Sequence, residues 1–233
     1  MKKRMLTVVT NAKMLPNDRE SGLWLSELID FYDYFVKKGF QVDICSPLGG
    51  TVPLDKLSIN PLTLTKPSKD YYEDAAFMEK LNNSLAPEQV QWEYYDGVYF
   101  AGGHGTMMDF PDSINLQEIV KNIYEAGGIV AAVCHGQSGL LNVRLSNGRY
   151  LLEGKRVTGF SNAEEVIVAA KDNIPFSLED EIKNRGADYH KAVIPMTSHV
   201  EVSGNLVTGQ NPASADGVAE KVYEILENSP FNS

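Results

Sequence analysis

Cys134 stands at the end of an all-apolar run, Ile129-Val130-Ala131-Ala132-Val133, and is followed at once by His135 and Gly136. An apolar strand that stops at a cysteine and turns through His-Gly into a helix presents its sulfur on a tight elbow at the carboxyl edge of a sheet, where binding crevices lie. Small residues flank the turn, Gly127-Gly128 before it and Gly136 and Gly139 after it, and let strand and helix approach closely. The emerging helix N-terminus is expected to stabilise a thiolate, the nucleophilic form of the side chain. A cysteine can also be a small buried hydrophobe, but a packing residue needs neither the elbow nor the adjacent histidine. Cys45, which ends another strand without such a turn, fits the packing role.

A second turn, Ala101-Gly102-Gly103-His104-Gly105, closes a further strand. Glycines there leave backbone N–H groups uncovered, so the amides of Gly103 and His135 are candidates for an oxyanion hole, with Gly102 and His104 as neighbouring substrate-binding positions. The same glycines also suit any tight turn that requires positive φ. Glu27 lies in the mostly apolar stretch 22–27. It is either solvated on the outer face of a helix or turned inward, where burial raises its pKa and lets it hold or move a proton beside the sulfur. Glu165 follows Thr158-Gly159-Phe160 at the head of another helix, where a favourable dipole interaction explains an acid equally well. His190 reads as a surface histidine. The histidines and cysteines lack zinc-site spacing, so no metal and no other cofactor is expected.

These residues need a frame. Short β-branched runs alternate with stretches of helical spacing, the pattern of an α/β, mostly parallel open sheet with helices on both faces. Strands are predicted at Met5 to Thr10, Gln41 to Cys45, Gly97 to Ala101 and Ile129 to Val133, and helices at about Glu20 to Lys38, capped by Gly39, and at Ser113 to Glu125. Residues 46–93 are polar and Pro-containing, with the run Asp70-Tyr71-Tyr72-Glu73-Asp74, and read as an irregular insertion, a small cap that roofs the pocket. Beyond Cys134 the pattern gives a short helix near Gln137 to Asn142, a strand near Arg156 to Thr158, a helix N-capped by Asn162, strands at Val200 to Val202 and Leu206 to Thr208, and a helix from about Pro212 to Leu226.

The whole chain, 1–233, reads as one globular domain. Its 21 Lys+Arg against 31 Asp+Glu give a net charge of -10, which disfavours nucleic acid. The 2 distant cysteines exclude a disulfide scaffold and fit a reducing compartment. The apolar run Met5 to Val9 is too short for a signal peptide, and no window approaches a membrane span, so the expected location is the cytoplasm.

Ala-Gly-Gly-His-Gly at 101–105, Ala-Val-Cys-His-Gly at 132–136, Val-Thr-Gly-Phe-Ser-Asn-Ala-Glu-Glu at 157–165 and Val-Thr-Gly-Gln-Asn-Pro-Ala-Ser at 207–214 resemble the ThiJ/PfpI family of the class I glutamine amidotransferase-like superfamily, in that family's order and over nearly the whole chain. The resemblance is strongest to the branch with an insertion after the second strand, which holds glutathione-independent glyoxalases and heat-shock chaperones. It implies a flavodoxin-like sheet, Cys134 as nucleophile, His135 and Glu165 completing a triad, Glu27 as a protonated neighbour of the sulfur, Gly103 and the His135 amide as oxyanion donors, and a homodimer. Alignment on Thr-Gly-Phe selects Glu165, and a slip of one residue selects Glu164. A glutamine amidotransferase proper carries a His-x-Glu pair far downstream; His199-Val200-Glu201 has that spacing, but it sits beside a predicted hairpin and the resemblance places the triad elsewhere.

The implied activity is conversion of a small dicarbonyl, methylglyoxal, to lactate without glutathione, with deglycation as related chemistry of the same adduct. A cysteine amidase or peptidase, and a redox-sensitive chaperone of little catalysis, are the rival readings.

Overall fold

The computed structural model describes residues 3–228. Its sheet is built from β1 (Arg4–Val8), β2 (Gln41–Cys45), β3 (Gly97–Phe100) and β4 (Ile129–Val133), joined after two short strands, β5 (Arg156–Val157) and β6 (Asp188–Tyr189), by the hairpin β7 (Val200–Ser203) and β8 (Leu206–Gly209). The strand order is β2-β1-β3-β4-β8-β7, parallel throughout except for β7, which runs antiparallel to β8; β5 and β6 form a separate parallel pair. β4 is buried at every residue, as a central parallel strand with both faces covered must be.

The helices are α1 (Leu25–Lys37), α2 (Lys66–Glu73), α3 (Ala75–Asn82), α4 (Thr106–Asp109), α5 (Ile114–Glu125), α6 (Asn162–Ile167), α7 (Leu178–Asn184) and α8 (Ala215–Glu227). α1 and α8 pack on each other and on the strands, and α5 packs on β3 and β4, so helices cover both faces. Phe31 of α1 stacks on Tyr99 of β3 with ring centroids 3.9 Å apart, fixing α1 against the middle of the sheet. Val8 pairs with Phe100 and Phe100 with Ala132, so the carboxyl ends of β1, β3 and β4 lie side by side and the segments beyond them meet at one edge. No helix among the described residues is long and apolar enough to cross a membrane.

Several boundaries differ from those predicted. α1 starts at Leu25 rather than near Glu20, because residues 20–24 are held extended: Ser21 N–H donates to Lys13, Leu23 N–H to Pro53 and Trp24 N–H to Gly102. A Cβ on Gly22 would lie 2.5 Å from the Pro53 carbonyl, so only glycine permits that approach. The 46–93 segment is not irregular throughout. Thr65 accepts from Ser68 N–H and Asp74 from Ala76 N–H, and these caps start α2 and α3; the acid-aromatic run forms the end of α2, with Asp74 at the junction between the two helices.

α2 packs on α1 and α3 reaches it through Phe77 against Tyr32, and of this segment only Asp55, Lys56 and Leu57 line the pocket beside Cys134; as a roof it is narrower than expected. Farther on, Leu85 pairs with the outer side of β2, donating to the Ile44 carbonyl and accepting from Ser46 N–H. After Cys134 comes a seven-residue 3-10 turn, Cys134–Leu140, in place of the short helix at 137–142. Ser161, not Asn162, caps α6, in a capping box with Glu164. β5 lies where a strand is predicted, whereas its partner β6 and the helices α4 and α7 are additions to the predicted elements.

Candidate active site

The elbow is built by strain held in place. Cys134 has φ +58, a left-handed conformation that costs a non-glycine residue about 1 kcal/mol or more. Surrounding contacts fix it: Phe160 N–H donates to the Cys134 carbonyl (3.2 Å), Thr106 Oγ1 to the His135 carbonyl (2.9 Å) and Ser138 Oγ to the Thr106 carbonyl (3.0 Å). Gly136 packs so close to the Phe100 carbonyl that any side chain there would collide with it. Cys134, 4% exposed, lines a cavity of about 360 Å³ whose walls include Leu15, Trp24, Leu57, Phe160 and Met196.

One side of the sulfur meets a chain of hydrogen-bonding groups. Cys134 Sγ lies 3.2 Å from His135 Nδ1, and His135 Nε2 lies 2.7 Å from Glu165 Oε1. The other oxygen of that carboxylate, Oε2, lies 3.0 Å from His104 Nε2. Burial works to raise the Glu165 pKa, but hydrogen bonds from His104 and His135 outweigh it and hold the carboxyl at about 2. An ionised carboxylate only accepts, so both imidazoles donate through Nε2–H, and a ring held in this way keeps its Nδ1 for a second partner. Burial, together with neighbouring His104, lowers the His135 pKa to about 4. At neutral pH its Nδ1 is therefore an uncharged acceptor facing the thiol.

Glu27 approaches from the other side. It is fully buried; Gly102 N–H donates to its Oε2 at 2.7 Å and Tyr99 Oη–H to its main-chain carbonyl at 2.8 Å. The inward alternative holds. Burial raises its pKa to about 8, so the carboxyl is protonated at neutral pH, and Cys134 is the polar group that meets it. The thiol itself is pushed well up by burial and by Glu27, with only the His135 amide opposing. The resting sulfur is thus a thiol, which corrects the expected helix-stabilised thiolate: the chain leaves Cys134 as a 3-10 turn, and desolvation outweighs its amides.

The remaining sequence-selected residues divide. Gly103, at φ +107 and tight against the Gly22 carbonyl, and His104 both line the cavity. The Gly103 amide makes no internal hydrogen bond among the described residues. Gly102 does not reach the cavity: its N–H serves Glu27 and its carbonyl accepts from Trp24, so it carries a carboxyl rather than a ligand. Glu164, adjacent to Glu165, points elsewhere and accepts from Asn211 Nδ2 and Met196 N–H, both at 2.8 Å. His199 pairs with Glu201 at 3.1 Å and His190 with Asp188 at 2.9 Å, and neither histidine lines the cavity. Cys45 is buried with its thiol pushed up to about 12.

His104, His135 and Glu165 are also the described residues whose ligand atoms, all within 4.8 Å of one another, lie close enough to converge on a metal ion. Each Nε2–H is already committed to the carboxylate between them, so the group is built as a hydrogen-bonded relay. Sequence reading missed the link from His104 to Glu165, because the turn signals only backbone amides, and most of the apolar wall, which comes from separated segments.

Comparison with known proteins bears on the family and the fold. The model of the DJ-1/PfpI family matches residues 22–225. The glutathione-independent glyoxalase HSP31 of Saccharomyces cerevisiae is 33% identical, over 97% of this chain and 99% of its own. Among solved structures, the rapid encystment protein of Francisella tularensis superposes with a TM-score of 0.91 at 38% identity, covering 96% of this chain and 98% of that one. Glyoxalase III of Candida albicans gives 0.87 at 28% identity, covering 95% and 96%. With fold and sequence matched over nearly its full length, the chain belongs to the DJ-1/PfpI family.

Proposed function

We propose that the protein is a glutathione-independent glyoxalase that converts methylglyoxal and water to lactate, with Cys134, His135, Glu165 and Glu27 as its working groups. The observation that carries this is a buried thiol opening on a cavity, with a neutral imidazole acceptor at 3.2 Å on one side and a protonated carboxyl on the other. His135 Nδ1 takes the thiol proton as sulfur bonds to the aldehyde carbon, and the oxyanion formed is held by the amides of Gly103 and His135. His135 returns its proton to that oxygen, giving the hemithioacetal. Glu27, whose pKa of about 8 leaves an ionised fraction near neutrality, takes the proton from this carbon in that form and returns it to the neighbouring carbon through an enediol, while the hydroxyl proton passes to the former ketone oxygen. The product is a lactoyl thioester on Cys134, which water hydrolyses. The redox change stays inside the substrate, and the same adduct serves deglycation.

The test is to incubate protein with methylglyoxal and follow lactate, with Cys134→Ala and Glu27→Gln alongside. Lactate from wild type and its loss in both variants are expected. No lactate, with peptide cleavage instead, overturns the reading in favour of a cysteine peptidase, and a holdase activity that survives Cys134→Ala without lactate favours a chaperone. The proposal extends to a homodimer. Val166 and Ile167 of α6 are exposed, as are Val193 and Ile194 in the loop that Met196 N–H ties to Glu164 of the same helix. Light scattering that returns the mass of one chain removes the dimer.

A further inference from the structure

We infer that His104 is the base that activates the hydrolytic water, so that Glu165 serves two histidines in two successive halves of the reaction. The inference rests on the glyoxalase reading above. Its geometric basis is the symmetry of the relay: Glu165 Oε1 holds His135 Nε2 at 2.7 Å, and Oε2 holds His104 Nε2 at 3.0 Å. The rings lie beside each other, centroids 4.0 Å apart and tilted by 40°. One carboxylate thereby fixes the same tautomer in both, each Nδ1 bearing a lone pair. His135 spends its lone pair on the Cys134 thiol. His104 Nδ1 has no hydrogen-bond partner among the described residues, and His104 lines the cavity together with Asp55, the acid it interacts with, while Glu165 does not. It is the remaining imidazole at the cavity able to accept a proton.

Once sulfur is acylated it no longer carries a proton for His135 to take. His135 Nδ1 stays directed at sulfur, 3.2 Å away, whereas the lone pair of His104 is not so engaged. In the hydrolytic half, water loses a proton to His104 Nδ1 as its oxygen bonds to the thioester carbon. The tetrahedral intermediate collapses, the carbon–sulfur bond breaks with its electron pair going to sulfur, and lactic acid is released. The imidazolium of His104, paired meanwhile with Glu165, passes its proton to solvent, from which sulfur is reprotonated. Atoms and charge balance with water as the sole co-reactant.

The experiment uses His104→Gln, whose amide can still donate to Glu165, and His104→Asn as a shorter second variant. Each is mixed with methylglyoxal, quenched in acid after successive intervals and weighed intact. The expected result is a fall in kcat of about a hundredfold or more, with Cys134 accumulating the mass of one lactoyl group at a rate close to that of wild type. Hydroxylamine added to the isolated acyl-enzyme, which needs no base, should then release the acyl group as a hydroxamate. Iodoacetamide labelling of Cys134 at the wild-type rate identifies a variant with an intact elbow. Slowing without a trapped thioester, or turnover at the wild-type rate, overturns the role of His104. Absence of lactate in wild type fails the underlying reading instead, and the two failures are distinct.

Discussion

β2 ends in a buried cysteine and β4 is followed at once by another, at the same edge of the same sheet, and the two thiols behave differently. At Cys45 the sulfur's hydrogen-bond contact among the described residues is the Ser46 carbonyl, at 3.8 Å, and burial pushes its pKa to about 12. At Cys134 burial also pushes the thiol up. The difference is company: a left-handed backbone that turns the residue onto a cavity, an imidazole lone pair at 3.2 Å and a carboxyl on the far side. Reactivity at this fold edge thus comes from a base that can take the proton at the moment of attack, not from a sulfur already ionised at rest.

The contrast breaks most visibly under substitution of the sulfurs. Cys134→Ala should cut lactate formation on the order of 10⁴-fold, while Cys45→Ala leaves kcat/KM unchanged; equal losses would show that the elbow has no special part. Next in size, Glu165→Gln frees His135 to adopt the wrong tautomer and should lower kcat by about 10³-fold, measured against an unchanged thermal midpoint to separate chemistry from folding.

The carboxyl on the far side can be read through stability. Its folded pKa of about 8 lies above the ordinary 4.5, so Glu27 contributes fully below pH 4.5 and the contribution is lost as pH rises through 8. Urea unfolding of wild type relative to Glu27→Gln should therefore weaken between those limits by a few kcal/mol, and parallel pH profiles would place Glu27 in contact with water. The smallest effect is that of Cys45→Ala on stability, about 1 kcal/mol from a small buried hydrophobe. Consistent with its burial, native protein should take up iodoacetamide at Cys134 alone, Cys45 reacting only after unfolding.

The elbow was legible because it is local: an apolar strand buried on both faces has a composition of its own, and β2 and β4 begin and end where the pattern puts them. The features that escaped were settled at a distance. The first turn predicted for α1 is unwound by Leu54, some thirty positions on, which pairs with Leu23. Glu27 turns inward because the Gly102 amide awaits it. The choice between Glu164 and Glu165 rests on the Ser161 capping box, which sends one side chain to Asn211 and leaves its neighbour for the histidines. α2, α3 and α7 carried their caps in plain view at Thr65, Asp74 and Ser177, yet each helix is too short for its apolar spacing to register.

The pairing of Leu85 along β2 has a bearing outside catalysis. A terminal ribbon in an open sheet presents bare amides and carbonyls, a template on which another copy can stack and start an aggregate. By laying its own backbone there, the segment between β2 and β3 occupies the Ile44 carbonyl and the Ser46 amide. At that end of the sheet the groups another copy would need are already taken.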